Sequence, residues 1–287
     1  MPALERILVA TDFSPLGNAA VRRAALLAAR DGAQLLLVHA LPRFATLQSA
    51  FGEHTQVDQQ MRSAAEAIAG ELLAEVDAMG VGQVSFEVGE GRTHRVVADA
   101  AESFLPDLVV IGAHGKGLLQ QFFLGGSAAR ILSQSRCPVL VVREAARGDY
   151  TQLIAAVDLG PRSGAVIDTA RTVGGAAPLL AVHAYTAPFE AAMRYKHFPE
   201  QDILRYISDE ADTAKASMDA LVEPYGGAVD GRVVYGDPNP ALPEAVREQG
   251  AGLIAVGKHG GTRVEEAIMG SVPRFLAYYA PCDVLVC

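Results

Sequence analysis

The sequence predicts an α/β protein built as two tandem, doubly wound parallel-sheet domains of five strands each, in the order 3-2-1-4-5. Three observations carry that expectation. Short apolar strands alternate with amphipathic helical stretches along the whole chain. Such alternation gives a parallel sheet with helices on both faces. The pattern then recurs: Gly112 returns as Gly257, Gly125 as Gly270 and Cys137 as Cys282, each 145 positions later. A period of that length is domain-sized and far too long for a solenoid. Finally, each half carries a strand that runs into a glycine-rich loop: LVVIGAHGKGLLQQFFLGGS from Leu108 to Ser127, and LIAVGKHGGTRVEEAIMGS from Leu253 to Ser271. The expected domains are residues 1–145 and 150–287, with EAARGDY from Glu144 to Tyr150 as the linker.

The elements follow in order. Ile7 to Ala10 is a short apolar strand ended by Thr11-Asp12-Phe13-Ser14-Pro15. Ser14 and Pro15 start a helix well. Val21, Ala24, Ala25 and Ala28 give that helix its apolar face, and Asp31-Gly32 stops it. Leu35 to Val38 is a continuous apolar run suited to a strand covered on both faces. Residues 41–55 read as an irregular loop. Met61, Ala65, Ile68, Leu72, Val76 and Met79 recur at three- and four-residue spacing, one face of a long helix. Val84 to Val88 is a third strand. A helix holding Val96, Val97, Ala100 and Ala101 leads to the glycine loop, and Pro138 to Val142 is the fifth strand. The second copy repeats this with strands near Leu153–Val157, Leu179–Ala184, Gly231–Tyr235, Leu253–Gly257 and Asp283–Cys287. Its stretch 185–199 reads as irregular.

Composition narrows the function classes. The chain has 287 residues, 50% hydrophobic content and a net charge of −9. It has no run of lysine or arginine, so nucleic acid is not an expected partner. It has no apolar run of about 18 residues, so no membrane span is expected. Three cysteines with no CxxC pair argue against a disulfide framework or a zinc site. A cytoplasmic location is the expectation.

The glycine loops carry the chemistry. A strand ending in glycine can turn sharply and admits a ligand close to its backbone. Glycine followed by serine at a helix start leaves backbone N–H groups unpaired, and these donors together with the helix dipole favour phosphate. In the 3-2-1-4-5 order, strand 1 lies beside strand 4 and the order reverses between them. Ligands of open α/β sheets bind at that reversal, past the carboxyl ends of the strands. Asp12 ends strand 1 and Gly112 ends strand 4; Asp158 and Gly257 do the same in the second copy.

Together ILVATDFS, VHA after strand 2, GAHG…LGGS and CPVLVV resemble the universal stress protein family in its tandem, two-domain form. The resemblance covers nearly the whole chain. It implies an adenine nucleotide alpha-hydrolase-like fold and, for members that keep the pattern G-x2-G-x9-G-[ST], ATP binding. Asp12 and Asp158 would then hold the ribose, and the backbone at Ala40 and Ala184 would meet adenine. Gly112, Gly115 and Gly125 would lie next to the ribose and phosphates in the first copy. Gly257, Gly260 and Gly270 would do so in the second, with Ser271 as the phosphate-binding hydroxyl. The first copy departs from the pattern: Gly126 stands where serine is expected and Ser127 follows one position late. The second copy has Gly252 at the position of Asp107, and Pro273 just after its cradle.

Simpler readings stand beside these. Asp12 and Asp158 are also favoured helix caps. His39 and His183 suit structural hydrogen bonds. His114, His259, Lys116 and Lys258 suit a solvated loop, and Cys137 and Cys282 suit packed thiols. The resulting expectation is an ATP-binding stress-response switch or scaffold without strong catalysis, any Mg2+ being held mainly by the phosphates. The alternatives are a slow Mg-dependent ATPase or phosphoryl-transfer enzyme, and a structural module with vestigial loops. Family members pair through the last strand of each domain. The resemblance therefore implies that the two copies pair within one chain, with a homodimer of the full chain as a further expectation.

Overall fold

The computed structural model describes residues 3–42, 54–114, 124–258 and 269–287, with the backbone alone for 54–58. Contacts divide the chain between Asp149 and Tyr150. Each half is a five-stranded parallel sheet flanked by helices.

In the first half the elements are β1 (Arg6–Ala10), α1 (Pro15–Asp31), β2 (Gln34–Leu41), α2 (His54–Ala78), β3 (Gln83–Glu90), α3 (Thr93–Phe104), β4 (Leu108–Gly112), α4 (Gly126–Gln134) and β5 (Val139–Val142). The strand order is β3-β2-β1-β4-β5. Register pairs Ala10 with Val38 on one side and with Ile111 on the other. Ile7, Leu8, Leu35, Leu37 and Leu108 are wholly buried, as expected of central parallel strands covered on both faces. Helix α1 is well punctuated: Ser14 Oγ accepts from Gly17 N at 3.0 Å, Pro15 opens the first turn, and Gly32 closes the helix at φ 72°.

In the second half the elements are β6 (Leu153–Ala156), α5 (Ser163–Gly174), β7 (Leu179–Tyr185), α6 (Glu190–Tyr195), α7 (Glu200–Val222), β8 (Val229–Tyr235), α8 (Pro238–Gln249), β9 (Leu253–Val256), α9 (Ser271–Tyr279) and β10 (Asp283–Val286). The order β8-β7-β6-β9-β10 repeats that of the first half. One segment departs from expectation. Residues 185–199 are not wholly irregular, because Glu190–Tyr195 forms α6, whose Glu190 and Arg194 pair at 2.9 Å across one turn. The corresponding loop of the first half falls mostly on residues 43–53, outside the described residues.

The two halves fasten the foot of strand 4 differently. In the first, the Asp107 carboxylate accepts from Glu5 N at 2.8 Å and Arg6 N at 2.9 Å, tying the start of β4 to the start of β1. In the second, that aspartate is Gly252. A Cβ there would sit 3.2 Å from the Tyr150 ring, so the bare glycine makes room for the tyrosine. Tyr150 in turn donates its hydroxyl to Asp283 at 2.8 Å, and both residues are buried. A hydrogen bond to a charged group contributes about 1.5–3 kcal/mol. Tyr150→Phe is therefore expected to lower unfolding stability by about that amount in a urea titration. A midpoint equal to wild type would show that the clasp contributes nothing.

Candidate functional site

Each half has a cavity at the carboxyl edge of its sheet, where the strand order reverses. In the first half it measures about 320 Å3 and is lined by Thr11, Asp12, Gly112, His114 and the start of α4. In the second it measures about 460 Å3 and is lined by Asp158, Arg162, Ala184, Gly257 and the start of α9.

The backbone that enters each cavity turns the same way. Directly after the aspartates, Phe13 and Leu159 both hold φ 59°, the left-handed region that side chains disfavour. Such a residue costs about 1–3 kcal/mol and persists only when its surroundings over-determine it. Those surroundings are visible. Thr11 Oγ1 accepts from Phe13 N at 3.0 Å, and the Phe13 ring stacks on His39 with centroids 4.4 Å apart. His39 Nδ1 donates to Thr11 O at 2.8 Å, and His183 Nδ1 donates to Val157 O at 2.8 Å. A carbonyl can only accept, so each Nδ1 carries the proton and both histidines clamp strand 2 to the turn.

The aspartates do not cap the following helices. Ser14 caps α1, and the N-cap of α5 is Arg162 without a side-chain bond. Instead each carboxylate braces its own turn: Asp12 Oδ1 accepts from Ser14 N at 3.0 Å, and Asp158 Oδ1 accepts from Gly160 N at 2.9 Å. In the second half Ser163 Oγ also donates to Asp158 Oδ1, at 3.0 Å. Both of these bonds to Asp158 fall on Oδ1. Gly17 occupies the place of Ser163 in the first half, and a Cβ there would come within 2.7 Å of Asp12 Oδ1.

The glycine loops are pinned at both ends. Gly125 N donates to Ala113 O at 2.7 Å, and Gly270 N donates to Lys258 O at 3.0 Å. These bonds bring together the described residues on either side of the long gap in each motif. Gly125 and Gly270 have φ −63° and −57°, so their backbone is open to any residue. Gly112 is bare for another reason: a Cβ would lie 3.1 Å from Leu16 O, against the backbone of α1. At Gly126, which lines the cavity, a Cβ would meet nothing within 4 Å among the described residues.

The helix starts give the cavities their anion chemistry. Among the described residues, no side chain caps α4 or α9. Residues Gly126, Ser127 and Ala128 present first-turn amides in the first cavity. The second has the amides of Ser271 and Val272 and the Ser271 hydroxyl, but Pro273, third in α9, has no N–H. His114 Nδ1 is buried beside the first cavity with no hydrogen-bond partner among the described residues. An adenine nucleotide fits this donor set: uncapped amides for phosphate, and a carboxylate at the switch point for hydroxyls.

Of the expected site residues, Asp12, Gly112, Gly125, Gly126 and Ser127 line the first cavity, and Asp158, Ala184, Gly257, Gly270 and Ser271 line the second. Ala40 is absent from the described lining of its cavity. Gly115 and Gly260 lie outside the described residues, as do Lys116 and His259. Sequence reading missed Phe13 and Leu159, Gly17 and Ser163, and Arg162. The recurrence of a bulky residue after each aspartate was the available signal for the first pair.

The model of the universal stress protein family matches residues 3–143 and again 149–287. A universal stress protein of Thermus aquaticus is 30% identical over 139 residues, covering 48% of this chain and 97% of its own length. The universal stress protein A homolog 2 of Coxiella burnetii is 27% identical over 146 residues, covering 50% of this chain and 97% of its own. The crystal structure of a universal stress protein from Archaeoglobus fulgidus superposes with a TM-score of 0.72 at 16% identity, covering 98% of this chain and 97% of that one.

The glycines separate by role. Gly112→Ala crowds α1 and is expected to destabilise the fold by about 1–3 kcal/mol. Gly126→Ala points into open space and is expected to melt at or above the wild-type temperature, since alanine favours a helix over glycine. Thermal melts of the two variants check this, and equal losses in both would refute the assignment.

Proposed function

Since the chain belongs to the universal stress protein family, in two copies of its domain, we propose that it binds an adenine nucleotide, ATP first among them, and acts as a nucleotide-dependent stress-response switch or scaffold. The observation that carries this reading is the second cavity. There a carboxylate, an uncapped helix start with a serine hydroxyl, and a cation converge at the switch point. The ribose hydroxyls are assigned to Asp158, adenine to the backbone at Ala184, and the phosphates to the start of α9. Any Mg2+ is held mainly by the phosphates. When bound, the nucleotide supplies the charge that the helix start and Arg162 neutralise.

The two sites are proposed to differ in affinity. Ser271 adds a hydroxyl to the second, and Pro273 removes an amide from it. Each is one hydrogen bond to phosphate, so the two changes cancel to first order. Arg162 then decides. It lines the second cavity, whereas no arginine or lysine is among the described lining of the first. A unit charge about 4 Å away contributes between about 1 and 4 kcal/mol, depending on how far water screens it.

Hydrolysis is proposed to be slow at most. Phosphoryl transfer needs a group that orients the nucleophile. Asp158 spends Oδ1 on its own turn, which suits a binding carboxylate better than a base.

Calorimetry with ATP tests this on the full chain. The expected result is two sites, the second tighter by about tenfold, which corresponds to about 1.4 kcal/mol. Asp158→Ala and Arg162→Ala are both expected to weaken it, and Arg162→Ala to bring the two sites level. Absence of binding would sink the nucleotide reading, and equal affinities in the wild type would sink the asymmetry. A phosphate-release assay on the same protein separates the binding protein from an ATPase.

A further inference from the structure

The first domain has a second hollow, of about 370 Å3, in the groove between α3 and α4. That size lies in the range of small-ligand sites. One face of α3 forms its wall, from His94 through Val97 and Ala101 to Leu105. Eleven helical steps make that wall about 16 Å long. Val109 of β4 and Ile131 of α4 face it. The lining is apolar along its middle, and its two charged side chains, Glu102 and Arg136, offset each other.

The residues at the two ends of the wall are ill suited to an empty hollow. His94 lines one end and is buried, yet nothing among the described residues hydrogen-bonds its ring. Burial, ahead of the nearby Arg130, Arg92 and Arg95, holds it below the usual histidine range, so the ring is uncharged at neutral pH. A neutral imidazole offers one donor and one acceptor, and a buried polar group without a partner is costly. At the other end Leu105 holds φ 53°, the left-handed region that side chains disfavour. Its side chain is 60% exposed.

The second domain is an internal control. Helix α8 repeats α3 at 145 positions on, with the same length. It carries Gly250, at φ 61°, in the place of Leu105. Bulkier Leu242, Pro243 and Val246, all buried, replace Val97, Ala98 and Ala101. The fold therefore accepts glycine at the left-handed position and larger side chains along the helix face. The first domain instead keeps that face small, a histidine without a partner at one end and an exposed leucine at the other. An apolar body with one hydrogen-bonding group answers all three.

We propose that this hollow binds a small uncharged alcohol with an elongated apolar body, its hydroxyl at His94 and its body along Val97 and Ala101 to Leu105. A hydroxyl both donates and accepts, so it completes whichever ring nitrogen faces the hollow. A carboxylate only accepts and an ammonium only donates, and either would carry a charge onto an apolar wall at a large desolvation cost. The body of the alcohol covers Leu105 and contributes affinity in proportion to the apolar area buried.

The probe is 1-octanol, titrated into the full chain by calorimetry without nucleotide, so the outcome does not depend on the nucleotide reading. One saturable site per chain is expected, with octanoate and octylamine each weaker by about tenfold or more. Ala101→Leu fills the hollow and is expected to abolish binding. Leu105→Gly copies the second domain and relieves the backbone, so it is expected to melt at or above the wild-type temperature and still lose about fivefold or more in affinity. It keeps the test valid if Ala101→Leu does not fold. His94→Leu removes one hydrogen bond and is expected to weaken octanol by about tenfold. No saturable binding at millimolar octanol overturns the proposal, as does binding that is indifferent to both Ala101→Leu and Leu105→Gly. Octanoate binding as tightly as octanol, or an unchanged affinity in His94→Leu, overturns the assignment of the head group.

Discussion

A parallel sheet whose strand order reverses sends its helices to opposite faces at the reversal, and packing cannot close the gap between them. Everything distinctive in this chain is arranged around two such gaps. β1 lies between β2 and β4, and β6 lies between β7 and β9. The strand-1 carboxyl end must therefore leave the sheet beside the strand-4 carboxyl end. The turn after each aspartate, the histidine clamp and the pinned glycine loop all follow from that crossing. They spend strain to hold backbone N–H groups and a carboxylate at the rim. The left-handed Phe13 and Leu159 show the cost.

Because the scaffold occurs twice, differences between the copies separate fold from function. The clamps of His39 and His183 are the same in both, to the same 2.8 Å, and belong to the scaffold. The braces are not the same. Ser163 reaches Asp158 where Gly17 leaves Asp12 without that hydroxyl, and Pro273 removes an amide that Ala128 keeps. The foot of strand 4 shows how one aspartate can be exchanged for a tyrosine clasp without disturbing the sheet. A domain that tolerates such exchanges can tune two sites separately in one chain.

Much of this was legible in the chain. The central strands are apolar because both faces are covered, whereas the edge strands β3 and β8 are mixed and only partly buried. Their order followed from alternation, and the cavities from the order. The aspartates and the glycine spacing marked the cavities because their positions are local to strand ends, and local pattern survives in sequence. Residues 185–199 were misjudged because a six-residue helix is too short to show a period. Gly112 was legible as the end of strand 4 beside the cavity, but the α1 backbone that also requires it to be bare comes from a distant segment.

The sequence by itself determined the fold class, the duplication and the place of the two switch-point cavities, because each rests on periodicity or spacing along the chain. Tertiary structure alone decided which neighbour each residue answers to. It set Tyr150 against Gly252 and Asp283, Ser163 against Asp158, and the Phe13 ring against His39. Those meetings depend on how helices lie across a sheet. Residues scattered along the chain, none of them in a charged run, become a site only when packing brings their faces together.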